Sequence, residues 1–201
     1  MLQAAIHAFF LAFGLILPLG VQNVYVFNQG ASQQKWVYVL PVVLTASICD
    51  TVLISFAVLG VSAVALAVSW IKITLILVGV LFLFYMGVTT WKSKPNSETS
   101  SPKSISPRKQ IVFAASVSLL NPHAIMDTIG VIGTNSLSYS GTAKLAFMVV
   151  CILVSWIWFF GLSVAGSLIG KLNQSGQFIL VLNKTSAFIM WGTAIYLITS
   201  L

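Results

Sequence analysis

Two of the three acidic residues in this chain of 201 amino acids lie within long apolar stretches. Asp50 stands in the sequence CDTVL and Asp127 stands in HAIMDT, whereas Glu98 falls in a polar segment. A charged side chain near the centre of a bilayer costs at least about 2.5 kcal/mol on insertion scales, so it must be paired, hydrated or protonated. The two aspartates therefore predict either a site for a cationic solute and protons, or neutral acids that hydrogen-bond neighbouring helices.

The composition places these carboxylates in a membrane protein. Hydrophobic residues make up 58% of the chain and charged residues 6%, against about 25% charged residues in soluble domains. Of the ten Lys and Arg residues, five crowd the segment 92–109, which indicates membrane topology rather than a nucleic-acid-binding face. Cys49 and Cys151 lack the spacing of a disulfide framework or a metal site, so neither a metal nor a cofactor is predicted.

Six apolar stretches are long enough to cross a bilayer as helices, which takes about 20 residues each. They lie at residues 2–26, 37–62, 66–91, 110–133, 143–169 and 178–201. A re-entrant segment in place of one of them is an alternative. The chain then divides into three-helix halves at 1–91 and 110–201, joined by the basic linker 92–109. Because Lys and Arg favour the cytoplasmic side, the linker is predicted to be cytoplasmic and both termini external.

The two halves resemble each other when Pro18 is laid over Pro122, so that LPLGVQN (17–23) matches NPHAIMD (121–127). Proline removes an intrahelical hydrogen bond and interrupts a helix, and Gly20 permits a close backbone approach. Three spans in each half give the halves opposite orientations, which is the plan of many secondary transporters. The predicted fold is an all-α membrane protein of six transmembrane helices, arranged as two inverted three-helix repeats with interrupted first and fourth helices.

Further polar side chains accompany the two interruptions. Gln22 and Asn23 follow the first one, and Asn121 and His123 stand at the second. An amide offers both donors and an acceptor, so it can bind a carboxylate or an ammonium group. An imidazole titrates near neutral pH, so His123 either relays protons or holds the kink by bonding a backbone carbonyl. Together with the aspartates these side chains form the predicted substrate-binding and proton-coupling set.

Five motifs resemble those of the LysE-type exporters, the bacterial family that exports lysine and arginine. They are LPLGVQNVYVFNQG (17–30), SICDTVL (47–53), LLNPHAIMDTIGVIG (119–133), SWIWFFGL (155–162) and MWGTAIYL (190–197). The motifs occur in order and cover nearly the whole chain, and GVQN resembles the basic-exporter branch. The resemblance implies export of L-lysine or L-arginine, with functional positions at Gln22, Asn23, Asp50, Asn121, Pro122, His123 and Asp127.

A cell interior that is electrically negative opposes the export of a cation by about 2.3 kcal/mol per charge per 100 mV. Export therefore predicts coupling, most simply to an incoming proton. The chain is predicted to be a transporter and not an enzyme, located in the bacterial cytoplasmic membrane. Its predicted partners are a basic amino acid, protons and the lipid bilayer, with no nucleic acid, and a homo-oligomer is compatible with the sequence.

Several alternatives stay open. Within the transporter class, the alternative substrates are a neutral amino acid and another small cation. Outside that class, the alternatives are a passive cation channel and a subunit that transports nothing. An intramembrane aspartyl protease also uses two membrane-embedded aspartates, but its YD and GxGD motifs are absent from the sequence.

Overall fold

The computed structural model describes residues 1–17, 20–33, 35–60, 69–92, 106–172 and 177–199. Within these ranges every regular element is a helix and no strand occurs, which confirms the all-α prediction. The elements in chain order are α1 (Leu2–Ile16), α2 (Val21–Ser32), a 3₁₀ helix (Trp36–Val39), α3 (Leu40–Val58), α4 (Ser69–Lys92), α5 (Pro107–Leu119), α6 (Pro122–Met126), a π-helix (Asp127–Gly133), α7 (Thr134–Ser136), α8 (Gly141–Leu172) and α9 (Gln177–Thr199).

Two of the described helical segments are long and apolar enough to cross a bilayer alone. They are Trp36–Val58 and Gly141–Lys171, with mean hydropathies of 2.1 and 2.5. Large apolar side chains also face outward, as shown by Leu81 and Ile157, which are each 71% exposed. Such surfaces suit contact with lipid, because they are apolar and the backbone polar groups in the interior of each helix are paired within it. The described helices are those of a membrane protein, while the count of six spans stays a prediction.

The first helix is interrupted between Ile16 and Val21. α1 and α2 are long and apolar enough to cross a bilayer only if they are taken together, and their axes differ by 75°. Gly20 occupies the N-cap of α2 in an extended conformation, with φ −69° and ψ 171°. Asn23 Nδ2 donates a hydrogen bond of 2.6 Å to the carbonyl oxygen of Ile16 at the end of α1. The amide thereby satisfies a carbonyl that the interruption removes from the helical ladder. Pro18 lies outside the described residues.

α2 continues to Ser32, so the predicted end of the first span at residue 26 is wrong. The reason is close packing against α8. A Cβ atom added at Gly166 would overlap the carbonyl oxygen of Phe27, and one added at Gly170 would overlap that of Ala31. Small residues let helix backbones approach in membranes. This contact supports helical structure where the local sequence, rich in amides and glycine, favours a turn.

We expect Gly166→Ala to destabilise the protein. The added methyl group would meet backbone atoms of α2 that cannot move aside as a side chain would, and overpacking of this kind costs about 1–3 kcal/mol. Gly161 provides a matched control, because it lies on the same helix with no atom near an added Cβ. Gly161→Ala should leave stability equal or slightly higher, since alanine favours the helix. Thermal unfolding of the purified variants in detergent measures both, and equal melting temperatures would contradict the proposed packing.

The fourth predicted helix is interrupted at residues 120–121. α5 ends at Leu119, and α6 begins at Pro122, a residue whose missing N–H is harmless in the first turn of a helix. The carbonyl oxygen of Asn121 accepts the first hydrogen bond of α6, 3.1 Å from the nitrogen of Ile125. The chain then passes into the π-helix and α7, so this segment extends past its predicted end at residue 133.

Other helix ends differ from prediction for local reasons. α3 ends at Val58, before the predicted residue 62, because Gly60 adopts φ +83°, the left-handed conformation that terminates helices. α5 begins at Pro107, inside the predicted linker 92–109. Most of that linker lies outside the described residues, as do residues 61–68, which contain the gap between the second and third predicted spans. The division into two repeats and a linker therefore stays a prediction.

Candidate functional site

A cavity of about 110 Å³ lies among α1, α2, α3, α6, the π-helix and α8. We call it the central cavity. Its walls contain apolar side chains, Gly20 and a group of polar residues. The polar members are Gln22, Asn23, Asp50, Asn121, Asp127, Thr128 and Ser155. The structure thus brings both aspartates singled out in the sequence to one cavity, although they lie on opposite sides of the linker in the chain.

Asp50 accepts hydrogen bonds from two neighbouring helices. Gln22 Nε2 of α2 donates to Oδ1 at 3.0 Å, and Ser155 Oγ of α8 donates to Oδ2 at 2.9 Å. Two carboxylate oxygens offer about four acceptor positions, so each retains capacity for a further donor. The side chain is partly exposed and borders the central cavity. Asp50 therefore joins three helices and can still accept from a solute.

The next residues of the same two helices extend this contact. Trp156 Nε1 donates to Thr51 Oγ1 at 3.0 Å, one position beyond the bond between Ser155 and Asp50. Thr51 in turn donates to the carbonyl oxygen of Ser47 at 2.7 Å. The bond between Ser155 and Asp50 and the bond between Trp156 and Thr51 together fix the register of α3 against α8. Trp156 thus packs α8 against α3.

Asp127 is the first residue of the π-helix, directly after the short helix α6. Its side chain is partly exposed and borders the central cavity, as does that of Thr128. π-Helical segments are rare and frequently occur at functional sites. The local backbone irregularity thus lies at the residue on which the sequence analysis concentrated.

The amides of the predicted set are buried at the cavity wall. Gln22 bonds Asp50 and Asn23 bonds the carbonyl of Ile16, so both bind protein groups in this conformation. Asn121 is 5% exposed and borders the cavity from the second interruption. Each amide can therefore reach a solute only where the cavity touches it or after exchanging its present partner.

The backbones of Pro122 and His123 lie in α6, whereas their side chains are outside the described part of the structure. The proton-relay role of His123 stays a prediction. Ser155 and Thr128 were missed by the sequence analysis. The signal for Ser155 was its place as a hydroxyl in an apolar helix, at the start of the motif SWIWFFGL. In the described part of the chain, no cluster of three His, Cys, Asp or Glu side chains could hold a metal ion.

A cavity among apolar helices with two carboxylates in its wall is typical of a membrane transporter, and comparison with known proteins identifies the family. The model of the LysE type translocator family matches residues 13–201. The chain therefore belongs to the LysE type translocator family.

Individual relatives support this assignment. The chain is 52% identical over 200 residues to the "Putative amino-acid transporter YisU" of Bacillus subtilis (strain 168), covering 100% of this chain and 91% of YisU. It is 30% identical over 195 residues to the "Arginine exporter protein ArgO" of Salmonella enteritidis PT4, covering 95% and 91%. The ArgO of Escherichia coli O157:H7 is 30% identical over 187 residues, covering 91% and 87%. No solved structure gives a significant match.

The family membership confirms the resemblance stated from the motifs. The chain is a transmembrane transporter and not an enzyme, so the aspartyl protease alternative is wrong. The family and the named relatives support amino-acid export, with an amino acid as the small-molecule substrate and lipid as the surrounding medium.

Proposed function

We propose that the chain exports basic amino acids, L-lysine or L-arginine, from the cytoplasm across the bacterial cytoplasmic membrane. The observation that carries the proposal is that Asp50 and Asp127 border one cavity. A carboxylate within a membrane protein requires a partner, and a cationic side chain supplies it. The relatives named arginine exporters favour the same class of substrate. A neutral amino acid brings one ammonium group, that of its head group, whereas a basic amino acid brings a second cation for the two carboxylates.

The architecture that we propose is six transmembrane helices in two inverted repeats, residues 1–91 and 110–201, with the linker in the cytoplasm. Two observations support it. The central cavity takes lining residues from both segments, and the helix interruptions at 17–20 and 120–121 stand in corresponding positions of the two halves. Interrupted helices at the interface of two repeats are where secondary transporters bind their substrates.

Different groups of the cavity bind the charged side chain and the head group of the substrate. The side-chain cation lies against Asp50 and Asp127. The α-carboxylate lies toward the start of α2, where Gly20 brings no capping side chain to the first N–H groups. Helix N-termini favour anions because those N–H groups point outward. The amides of Asn23 and Asn121 border the same space and complete the polar contacts.

Protons couple to export through the same carboxylates. Burial favours a neutral acid, whereas a neighbouring cation favours the ionised form. The substrate thus binds to ionised aspartate from the cytoplasm, and protonation from outside releases it after the two halves rock. The return step carries the proton inward, and His123 is our candidate for its relay. Each cycle exchanges a positive substrate for a positive proton, which removes the opposition of the membrane potential.

Flux measurements in reconstituted vesicles test this function. With the membrane potential clamped and the outside more acidic, arginine efflux should accelerate and the vesicle interior should acidify. For one proton per substrate, a pH difference of one unit supports roughly a tenfold substrate ratio. Leucine serves as the neutral comparison and should not be exported. Fluxes that follow the potential alone and ignore the pH gradient would identify a passive channel instead.

A further inference from the structure

A second cavity, of about 260 Å³, lies among α2, α4, α5 and α9. We call it the linker-side cavity, because the last turn of α4 and the first turn of α5, which flank the linker, both line it. It shares no lining residue with the central cavity. Its polar lining includes Asn28, Gln29, Thr89, Thr90, Lys109 and Asn183, together with Tyr25.

An acceptor in this lining lacks a partner. Asn28 Oδ1 is buried and makes no hydrogen bond, whereas Asn28 Nδ2 donates to Ser186 Oγ at 3.1 Å and lies 3.5 Å from Asn183 Oδ1. Buried polar atoms are nearly always hydrogen-bonded, so an exception calls for an explanation. Asn28 lines the cavity, so a ligand with a donor, such as an ammonium group, would give Oδ1 a partner once the amide turns toward it.

The same cavity carries a cation. Lys109 is exposed at the start of α5 and lines the cavity, where its ammonium group offers three donors. A carboxylate is the complementary group. By contrast, Asp50 and Asp127, the acidic residues in the described part of the chain, line the central cavity and not this one. The linker-side cavity is thus suited to the head group of an α-amino acid and has no described group for a cationic side chain.

We propose that the linker-side cavity is a second binding site, which takes the zwitterionic head group of an α-amino acid, with Lys109 at the carboxylate and Asn28 at the ammonium group. The identification of this ligand as the exported amino acid rests on the proposed function. α2 lines both cavities. Asn23 and Gln29 lie about 9 Å apart along its axis at 1.5 Å per residue, so cargo released from one site is near the other.

An apolar cluster separates the two sites. Val21 and Met126, neighbours in sequence of Gln22 and Asp127, pack with Phe113 and Met190, which line the linker-side cavity. The rings of Tyr25 and Phe113 lie 4.5 Å apart at the same boundary. The two cavities therefore recognise different parts of the substrate: the linker-side cavity binds the head group of any α-amino acid, and the central cavity binds the positive side chain.

Binding of L-norleucine, which is lysine without its side-chain ammonium group, tests the inference. The purified protein in nanodiscs should bind norleucine by calorimetry, and Lys109→Gln should weaken that binding about tenfold, as expected for a charge-assisted hydrogen bond. Arg108→Gln is the matched control. It removes the same charge from the same helical turn, but Arg108 does not line the cavity, so norleucine affinity should be unchanged. Cadaverine, which lacks the carboxylate, should compete poorly with norleucine.

Two results would overturn the inference: norleucine fails to bind, or the Arg108 and Lys109 variants weaken its binding equally. Failure of the proposed function is a separate outcome, because norleucine binding does not require export. A protein that binds norleucine through Lys109 but moves neither lysine nor arginine would retain the second site and refute the proposed export.

Discussion

Replacement of Asp50 by Asn is expected to lower arginine efflux by about a hundredfold while the protein still folds. Asparagine keeps the shape of the side chain, and its Oδ1 can accept from Gln22 as the carboxylate does at 3.0 Å. Its amide can donate to Ser155, so the links among α2, α3 and α8 persist. What disappears is the negative charge, and loss of one member of a desolvated ion pair costs about 2–5 kcal/mol. The rate of arginine efflux from reconstituted vesicles measures the effect.

Ser155→Ala separates charge from structure. That variant removes the donor at 2.9 Å from Asp50 Oδ2 but keeps the carboxylate, so efflux should fall only severalfold. Asp127→Asn should lose export and proton coupling as Asp50→Asn does, because both carboxylates border the central cavity. Wild-type efflux and wild-type internal acidification in both Asn variants would refute the transport scheme. An equal loss in Ser155→Ala and Asp50→Asn would assign Asp50 a structural role.

The sequence predicted those features that depend on local chemistry. An aspartate within an apolar helix is costly in a bilayer, and a proline within a predicted span interrupts the helix. Both can therefore be recognised from the sequence without knowledge of tertiary contacts. For that reason the interruption before Pro122 and the two acidic positions could be located by inspection. That Asp50 and Asp127 border one cavity was predicted from the hypothesis that both bind the same solute.

The features that the sequence did not reveal depend on tertiary packing. α2 continues past its predicted end because Gly166 and Gly170 of a distant helix allow close contact with it. Ser155 is one of many serines in the chain, and only the register of α8 against α3 places it on Asp50. The π-helix at Asp127 requires an additional residue in a turn, for which the composition DTIGVIG provides no local signal. Long-range contacts decided the first two of these cases.

The charge and the space of the central cavity have different roles, and a second variant isolates the space. Ala124 lies on α6 and lines the cavity of about 110 Å³. We expect Ala124→Phe to abolish efflux of lysine and arginine alike, because the aromatic ring would occupy the volume that the substrate needs. Filling a cavity adds apolar contacts, so the variant should melt at the wild-type temperature or above it, as stabilised proteins often do at the expense of activity. Vesicle efflux and thermal unfolding of the same preparation measure the two effects.

Ala115→Phe is the control for this variant. Ala115 lies on α5, in the other arm of the same interrupted segment, and is partly buried like Ala124, but it does not line the central cavity. It should leave efflux within about a factor of two, because the added ring lies outside the central cavity. Full efflux from Ala124→Phe would mean that the substrate travels by another route. Loss of efflux together with a lowered melting temperature would instead indicate a disrupted helix packing, and the cavity would lose its assignment as the transport site.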